Sequence, residues 1–290
     1  MTYPPLHQLG IIGSGRVAQA LALALSPHSA APPLLWGRSP EKLRAAVARV
    51  GRAAAASSAD RLTADCDVIA IAVSDDAVAA IAADTVRTMP TGRAPFVFHV
   101  RGRSGAAILE PLRAAGALTA AIHPAMTFTG HPQNEVVRMA QARFAITGST
   151  PEAIERARSM VGLLEGTAVE IAEERRSLYH AGLCHASNHL VTLMAGASRA
   201  LEVAGVDDPA MLLAPLVRAA LENSLESGFA ALSGPLLRGD SQTIGDHVDA
   251  LGAYCPELLP AYRAMALATV DELERDGSPQ ALAMVRGKLA

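Results

Sequence analysis

Leu9-Gly10-Ile11-Ile12-Gly13-Ser14-Gly15-Arg16-Val17-Ala18 lies near the start of a 290-residue chain. It reads as a buried strand, a tight glycine turn and the start of a helix. In a G-x-G-x-x-A turn the small residues have separate tasks. Gly13 permits the turn, Gly15 lets backbone N–H groups approach a pyrophosphate, and Ala18 keeps the helix close to the strand. The apolar residues that follow, Val17, Ala20, Leu21, Ala24 and Leu25, recur at i, i+3, i+4, i+7 and i+8. That spacing is one face of a helix whose positive end points back at the turn. Gly13, Ser14, Gly15, Arg16 and Val17 are therefore the candidate contacts of a bound dinucleotide.

Working outward, Pro33-Leu34-Leu35-Trp36 reads as a second strand. An acidic residue at its end would take the ribose hydroxyls of NAD. This chain has Gly37-Arg38-Ser39 there, followed by Pro40. A guanidinium and a hydroxyl suit a 2′-phosphate, so NADP is the expected cofactor, with Arg38 and Ser39 on that phosphate. Ser39 is also a good N-cap with Pro40 at the first helical position.

Residues 67–73 are an apolar run of strand length ending in Val73-Ser74, where ribose or nicotinamide would pass beyond the carboxyl end of the sheet. Asp75 and Asp76 serve the helix that follows. Further strands are expected at 95–100, 120–124, 143–147 and 168–171, with a helix from Pro151 to about Leu164. His99 falls inside its strand and reads as structural. Arg101 and Arg103 follow it and can meet a cofactor phosphate or a substrate carboxylate. His123 falls just past a strand end, the sheet edge where ligands gather, and is a candidate proton donor.

After Ala172 the pattern is helical throughout: about 173–204, 209–228, 241–252, 256–276, and a short helix after Gly277-Ser278-Pro279. The fold class is therefore α/β plus all-α. A doubly wound Rossmann domain over 1–171 precedes a helical substrate and dimerisation domain over 172–290, with one long central helix. On that helix His185, Asn188 and Thr192 form a polar stripe at i, i+3, i+7, and such groups must find partners. Arg238, in the loop Ser233–Asp240, is available to an anionic substrate, or it pairs with Asp240.

Half the residues are apolar and the net charge is −3. That balance points away from nucleic acid and from anionic membranes as partners; the partner expected of a dinucleotide-dependent reductase is a small-molecule substrate. Three scattered cysteines and no leader-like N-terminus lead to an expected cytoplasmic location without disulfides. The apolar runs are too short to span a membrane. The residues at 180, 184, 185 and 189 lack the carboxylate of an H-E-x-x-H site, so no metal is expected.

The chain resembles the phosphogluconate-dehydrogenase-like superfamily, which includes ketopantoate reductases, pyrroline-carboxylate reductases and imine reductases. More closely, it is similar to a bacterial family of Rossmann proteins with a C-terminal domain of unknown function. The stretches that carry the likeness are Ile122-His123-Pro124-Ala125-Met126-Thr127-Phe128, Ala186-Ser187-Asn188-His189-Leu190-Val191-Thr192-Leu193 and Ala231–Asp240. The resemblance implies hydride transfer to a small oxo acid or an imine in a cleft between the domains. It also implies a homodimer built through the helical part. Ketopantoate reductases carry a lysine and an asparagine four apart on the equivalent helix. Asn188 fits the asparagine, and Cys184 stands where the lysine would be, so His185 becomes the nearest acid. The apolar run 190–204 is consistent with a helix buried on most sides. The alternative function is a dinucleotide-binding sensor or partner protein without turnover.

Overall fold

The computed structural model describes residues 6–90, 92, 94–276 and 282–290. The Gly277-Ser278-Pro279 helix start lies outside them. Contacts divide the chain into two units, Met1–Cys184 and His185–Ala290.

The first unit contains an eight-stranded sheet. Its strands are β1 (Leu9–Ile12), β2 (Leu34–Trp36), β3 (Ala54–Ala55), β4 (Val68–Ile71), β5 (Phe96–His99), β6 (Leu118–Pro124), β7 (Arg143–Gly148) and β8 (Thr167–Glu170). The spatial order is β3-β2-β1-β4-β5-β6-β7-β8. Every neighbouring pair is parallel except β6 and β7, which run antiparallel. Helices α1 (Arg16–Leu25), α2 (Pro40–Val50), α3 (Ala59–Asp65), α4 (Val78–Val86), α5 (Glu110–Ala114), α6 (Pro132–Met139) and α7 (Pro151–Leu163) cover the sheet.

The period of two along the strands assigns each side chain to a face. Leu9, Ile11, Val68, Ala70, Phe96 and Phe98 pack with α1, α2, α6 and α7. Ile12, Ile69, Ile71 and Val97 pack on the opposite side with α3, α4 and α5. Both faces are covered, which is why the central strands read as unbroken apolar runs rather than alternating ones. The order reverses between β1 and β4. The crevice at that switch point, beyond the carboxyl ends of the strands, is where such sheets bind ligands. The doubly wound reading holds, and the sheet adds one element beyond it, the two-residue β3, too short to carry a periodic signal.

The long helix α8 (Arg176–Val203) begins in the first unit and ends in the second. The expected boundary at 171 lies thirteen residues before this division (184 − 171), because the first turns of α8 make contacts with the sheet unit. The second unit continues with α9 (Pro209–Ser227), α10 (Ser241–Tyr254), α11 (Leu259–Arg275) and α12 (Leu282–Leu289). Its core is small and is formed by Ile244 of α10, Ala266, Val270 and Leu273 of α11, and Leu282, Val285 and Leu289 of α12. Asp240 caps α10, its carboxylate accepting from Thr243 N at 3.1 Å. The expected burial of the apolar part of α8 is not what the chain shows: Val191 is 70% and Val203 58% exposed. The small α10–α12 core has no place for them. Among the described residues no helix is long and apolar enough to cross a membrane.

Candidate functional site

The glycine turn closes β1 onto α1 under tight constraints. Gly13 N donates to Trp36 O at 2.7 Å, and Ala72 N donates to Ile12 O at 2.8 Å. Gly13 has φ +137, and a Cβ there would lie 2.1 Å from Ala72 O. Ala18 is fully buried, 3.5 Å from that same Cβ position. At Gly15 an added Cβ would meet nothing within 4 Å. Gly15 is also the N-cap of α1 and offers no capping side chain. The first N–H groups of the helix are thus left for another acceptor, the arrangement that binds anions.

These groups open into a cavity of about 610 Å³. Residues Gly13 to Val17 form one wall. Gly37, Arg38, Ser39 and Lys42 form a second, Ala72, Val73 and Ser74 a third, and Val100 and Phe128 close it. Nine of the proposed cofactor contacts therefore converge: Gly13, Ser14, Gly15, Arg16, Val17, Arg38, Ser39, Val73 and Ser74. Arg16, Arg38 and Lys42 put three cations around the cavity, and among the described lining residues there is no carboxylate. Ser39 caps α2 by accepting from Lys42 N at 3.3 Å. Lys42 was not singled out in the sequence. It lies three residues after the cap, on the first turn of α2, and that spacing was the available signal. The dimensions suit a ligand with two anionic groups, one at the start of α1 and one beside Arg38 and Lys42.

Arg101 is placed differently. It is 8% exposed, is absent from the cavity wall, and its Nε donates to Asp75 at 3.1 Å. Asp75 thus serves Arg101 as well as its helical turn. His99 is fully buried at the end of β5. Its Nε2–H donates to Gly105 O at 2.8 Å, while its Nδ1 accepts from Arg101 N at 3.1 Å. Both ring nitrogens are used by the neutral form, and burial pushes its pKa down to about 4. His99 is structural, as its position in the strand implied.

A second polar group lies just past Val100 in the same unit. His123 Nδ1 and the Tyr179 hydroxyl are 2.9 Å apart, with the rings edge to face at 5.7 Å between centroids. His180 also meets His123 edge to face, at 5.9 Å. The loop 101–105 passes so close that a Cβ on Gly102 would lie 2.3 Å from His180 and 2.9 Å from His123 Nε2. Arg176 is completely buried and donates to three carbonyls: Arg101 O at 2.9 Å, Ser104 O at 3.1 Å and Ala145 O at 3.2 Å. Its guanidinium also lies 5.5 Å from the centre of the Tyr179 ring. Glu173 accepts from Gly105 N at 3.1 Å and from Ala107 N at 3.2 Å. Burial pushes the pKa of His123 down to about 4, with Arg176 and the neighbouring histidines adding to the effect. Burial pushes the Tyr179 phenol up. At neutral pH this cluster holds a neutral imidazole beside a protonated phenol. Tyr179 and Arg176 had no periodic signal, because their partners are 31 to 75 residues away in sequence.

The remaining candidates belong to the second unit. Asn188 is exposed, accepts from Ser187 Oγ at 3.1 Å, and its carbonyl accepts from Thr192 Oγ1 at 3.4 Å. His185 and His189 face each other with their Nδ1 atoms 3.1 Å apart. Arg238 is exposed in its loop.

Comparison with known proteins agrees with this architecture. Residues 2–124 match the model of a Rossmann-like domain, and residues 142–269 match a domain of unknown function, DUF2520. No curated protein sequence matches the chain. Among solved structures, BF3122 from Bacteroides fragilis, named as an NADP oxidoreductase, superposes with a TM-score of 0.75 at 20% identity, covering 91% of this chain and 97% of its own. An imine reductase from Myxococcus stipitatus in complex with NADP+ gives 0.65 at 16% identity, over 97% of this chain and 99% of its own. A reductive aminase from Aspergillus terreus in complex with NADPH and ethyl levulinate gives 0.63 at 16% identity, over 96% and 98%. At these identities the likeness is one of fold.

Proposed function

We propose that this chain is an NADP-dependent oxidoreductase that reduces the carbonyl of a small oxo acid, of the ketopantoate type, or an imine. The observation that carries the reading is the cavity wall: uncapped helix amides at Gly15, and Arg38, Ser39 and Lys42 where a carboxylate would mark NAD. The NADP complexes among its structural neighbours support it. When bound, NADPH supplies two electrons and one hydrogen to the substrate carbon. The chain's own part is to hold the coenzyme, orient the substrate and deliver a proton. The amides of 14–17 take the diphosphate, Arg38, Ser39 and Lys42 the 2′-phosphate, and Val73 and Ser74 border the path of the ribose. His123 is the candidate acid in the first unit. In the second, His185 is the other candidate acid, Asn188 the candidate that orients the substrate and Arg238 the candidate contact of an anionic group; Arg101 is a buried partner of Asp75. Among the described residues Cys66, Cys184 and Cys255 form no disulfide, in keeping with a reducing cytoplasm.

Fluorescence titration tests the coenzyme. NADPH is expected to bind at least about tenfold tighter than NADH. The double substitution Arg38→Ala, Lys42→Ala is expected to weaken NADPH about 100-fold, through loss of two charge-assisted contacts, and to leave NADH unchanged. Equal affinity for the two coenzymes overturns the NADP assignment. NADPH oxidation against a panel of oxo acids and imines then separates the reductase from its alternative: tight binding without turnover of any panel member makes the chain a dinucleotide-binding sensor.

The helical unit supports a homodimer. Val191 of α8 and Met211, Leu216 and Leu225 of α9 are 70%, 74%, 66% and 78% exposed. Monomers rarely leave apolar patches of more than a few hundred Å² in water, and such faces mark interfaces. Light scattering is expected to give twice the 30.0 kDa chain mass; a monomer at micromolar concentration removes the dimer.

A further inference from the structure

We infer that the Tyr179 hydroxyl is the proton donor of the reduction, and that His123 acts through it as a positioning residue. The inference rests on the reductase reading above. It follows from which groups of the cluster beside the 101–105 loop still have a proton to give. His99 has both nitrogens occupied. Arg101 is paired with Asp75, and Arg176 is committed to three carbonyls. Tyr179 is half-buried, carries an O–H, and meets His123 at 2.9 Å. His123 in turn is at the end of β6, across the 101–105 loop that continues from Val100 in the cavity wall.

The hydrogen bond can run either way, and only one direction serves the chemistry. With Nδ1–H of His123 donating to the phenolic oxygen, the O–H of Tyr179 is free to point at a substrate. In the step, the Tyr179 O–H bond breaks and an O–H or N–H bond forms on the reduced carbonyl or imine. The electron pair stays on the phenolic oxygen. The phenolate is held by Nδ1–H of His123 and by the Arg176 charge over its ring, and water returns the proton. The titratable and charged groups around the pair are Arg176 and His180 on α8, Glu173 in the turn before it, and His99 on β5. Because His123 stays neutral down to about pH 4, the donated hydrogen bond persists through the physiological range.

Two measurements decide it, one of them on the protein without coenzyme. Nitrogen NMR of the histidine rings is expected to show His123 protonated at Nδ1. A His123 protonated at Nε2, with Nδ1 accepting the phenol's proton, overturns the inference whatever the activity. Ultraviolet difference titration follows the Tyr179 phenol, with Tyr179→Phe as the blank. His123→Leu is expected to raise its titration further, and His123→Asn, whose amide N–H takes the place of Nδ1–H, to restore it. In turnover, Tyr179→Phe is expected to lose about 100-fold in kcat with NADPH affinity unchanged. Full activity of Tyr179→Phe overturns the inference and leaves the reductase standing. Failure of the wild-type chain to bind NADPH removes the reductase and is read separately.

Discussion

Gly13→Ala is expected to cost the first unit about 3–5 kcal/mol, and Gly15→Ala, two residues on, almost nothing in stability. The two glycines look alike in the sequence and differ in what surrounds them. At Gly13 the backbone has φ +137, outside the region open to a side chain, and the added methyl would lie 2.1 Å from Ala72 O. Ala72 cannot retreat, since its N–H is tied to Ile12 at the end of β1, and Gly13 itself is tied to Trp36 at the end of β2. Relief therefore requires the ends of three adjacent strands to part. Gly15 sits at φ −77, ψ −175, extended backbone that alanine adopts freely, and its methyl would enter open cavity. Its cost falls on the ligand: the methyl stands where the diphosphate must approach the N–H groups, and NADPH affinity is expected to drop at least tenfold. Urea denaturation followed by NADPH titration checks both. A Gly13→Ala chain as stable as the parent refutes the account of the turn, and a Gly15→Ala chain that binds NADPH normally refutes the placement of the diphosphate.

The turn was legible because its physics is local. Gly13, Gly15 and Ala18 lie within six residues, and each constraint acts on the chain next to it. The same is true of Ser39, whose capping of α2 needs only Lys42 N three residues later. The central strands were legible for a different reason: coverage on both faces leaves no polar alternation, as the run 67–73 shows. What the sequence did not disclose depends on neighbours brought in by topology. Arg101 reads as a free cation after a strand. It is buried against Asp75 because β4 and β5 are adjacent, so the segments leaving their ends meet. Tyr179 reads as one more residue of a long helix, and only the arrival of β6 beneath it supplies His123. The apolar stretch of α8 reads as core, yet Val191 remains in solvent in the single chain. Hydropathy reports that a face needs covering and not which molecule covers it.

The first turns of α8 pose the sharpest case of such long-range dependence, and Arg176 tests it. Arg176→Met retains most of the volume and removes every donor. Three carbonyls then lose their partner, those of Arg101 and Ala145 in buried bonds and that of Ser104 in a part-buried one. Each buried acceptor left unpaired costs about 1–3 kcal/mol. Against this stands the gain from no longer burying a guanidinium, whose pKa burial pushes down. The net expectation is a loss of about 3–5 kcal/mol, little affected by salt because the contacts are screened from solvent. Arg176→Lys keeps the charge, but a single ammonium cannot reproduce the fork that reaches three carbonyls, so it is expected to recover less than half of the loss. Hydrogen exchange gives the local readout. Arg176 holds the carbonyls of the 101–104 loop while Glu173 holds the amides of Gly105 and Ala107, so in Arg176→Met the amides of 101–107 are expected to exchange faster, while those of β1 follow only the global loss. If the methionine variant melts within about 1 kcal/mol of the parent, the start of α8 is not held to the sheet by this side chain, and the placement of Tyr179 over His123 needs another cause.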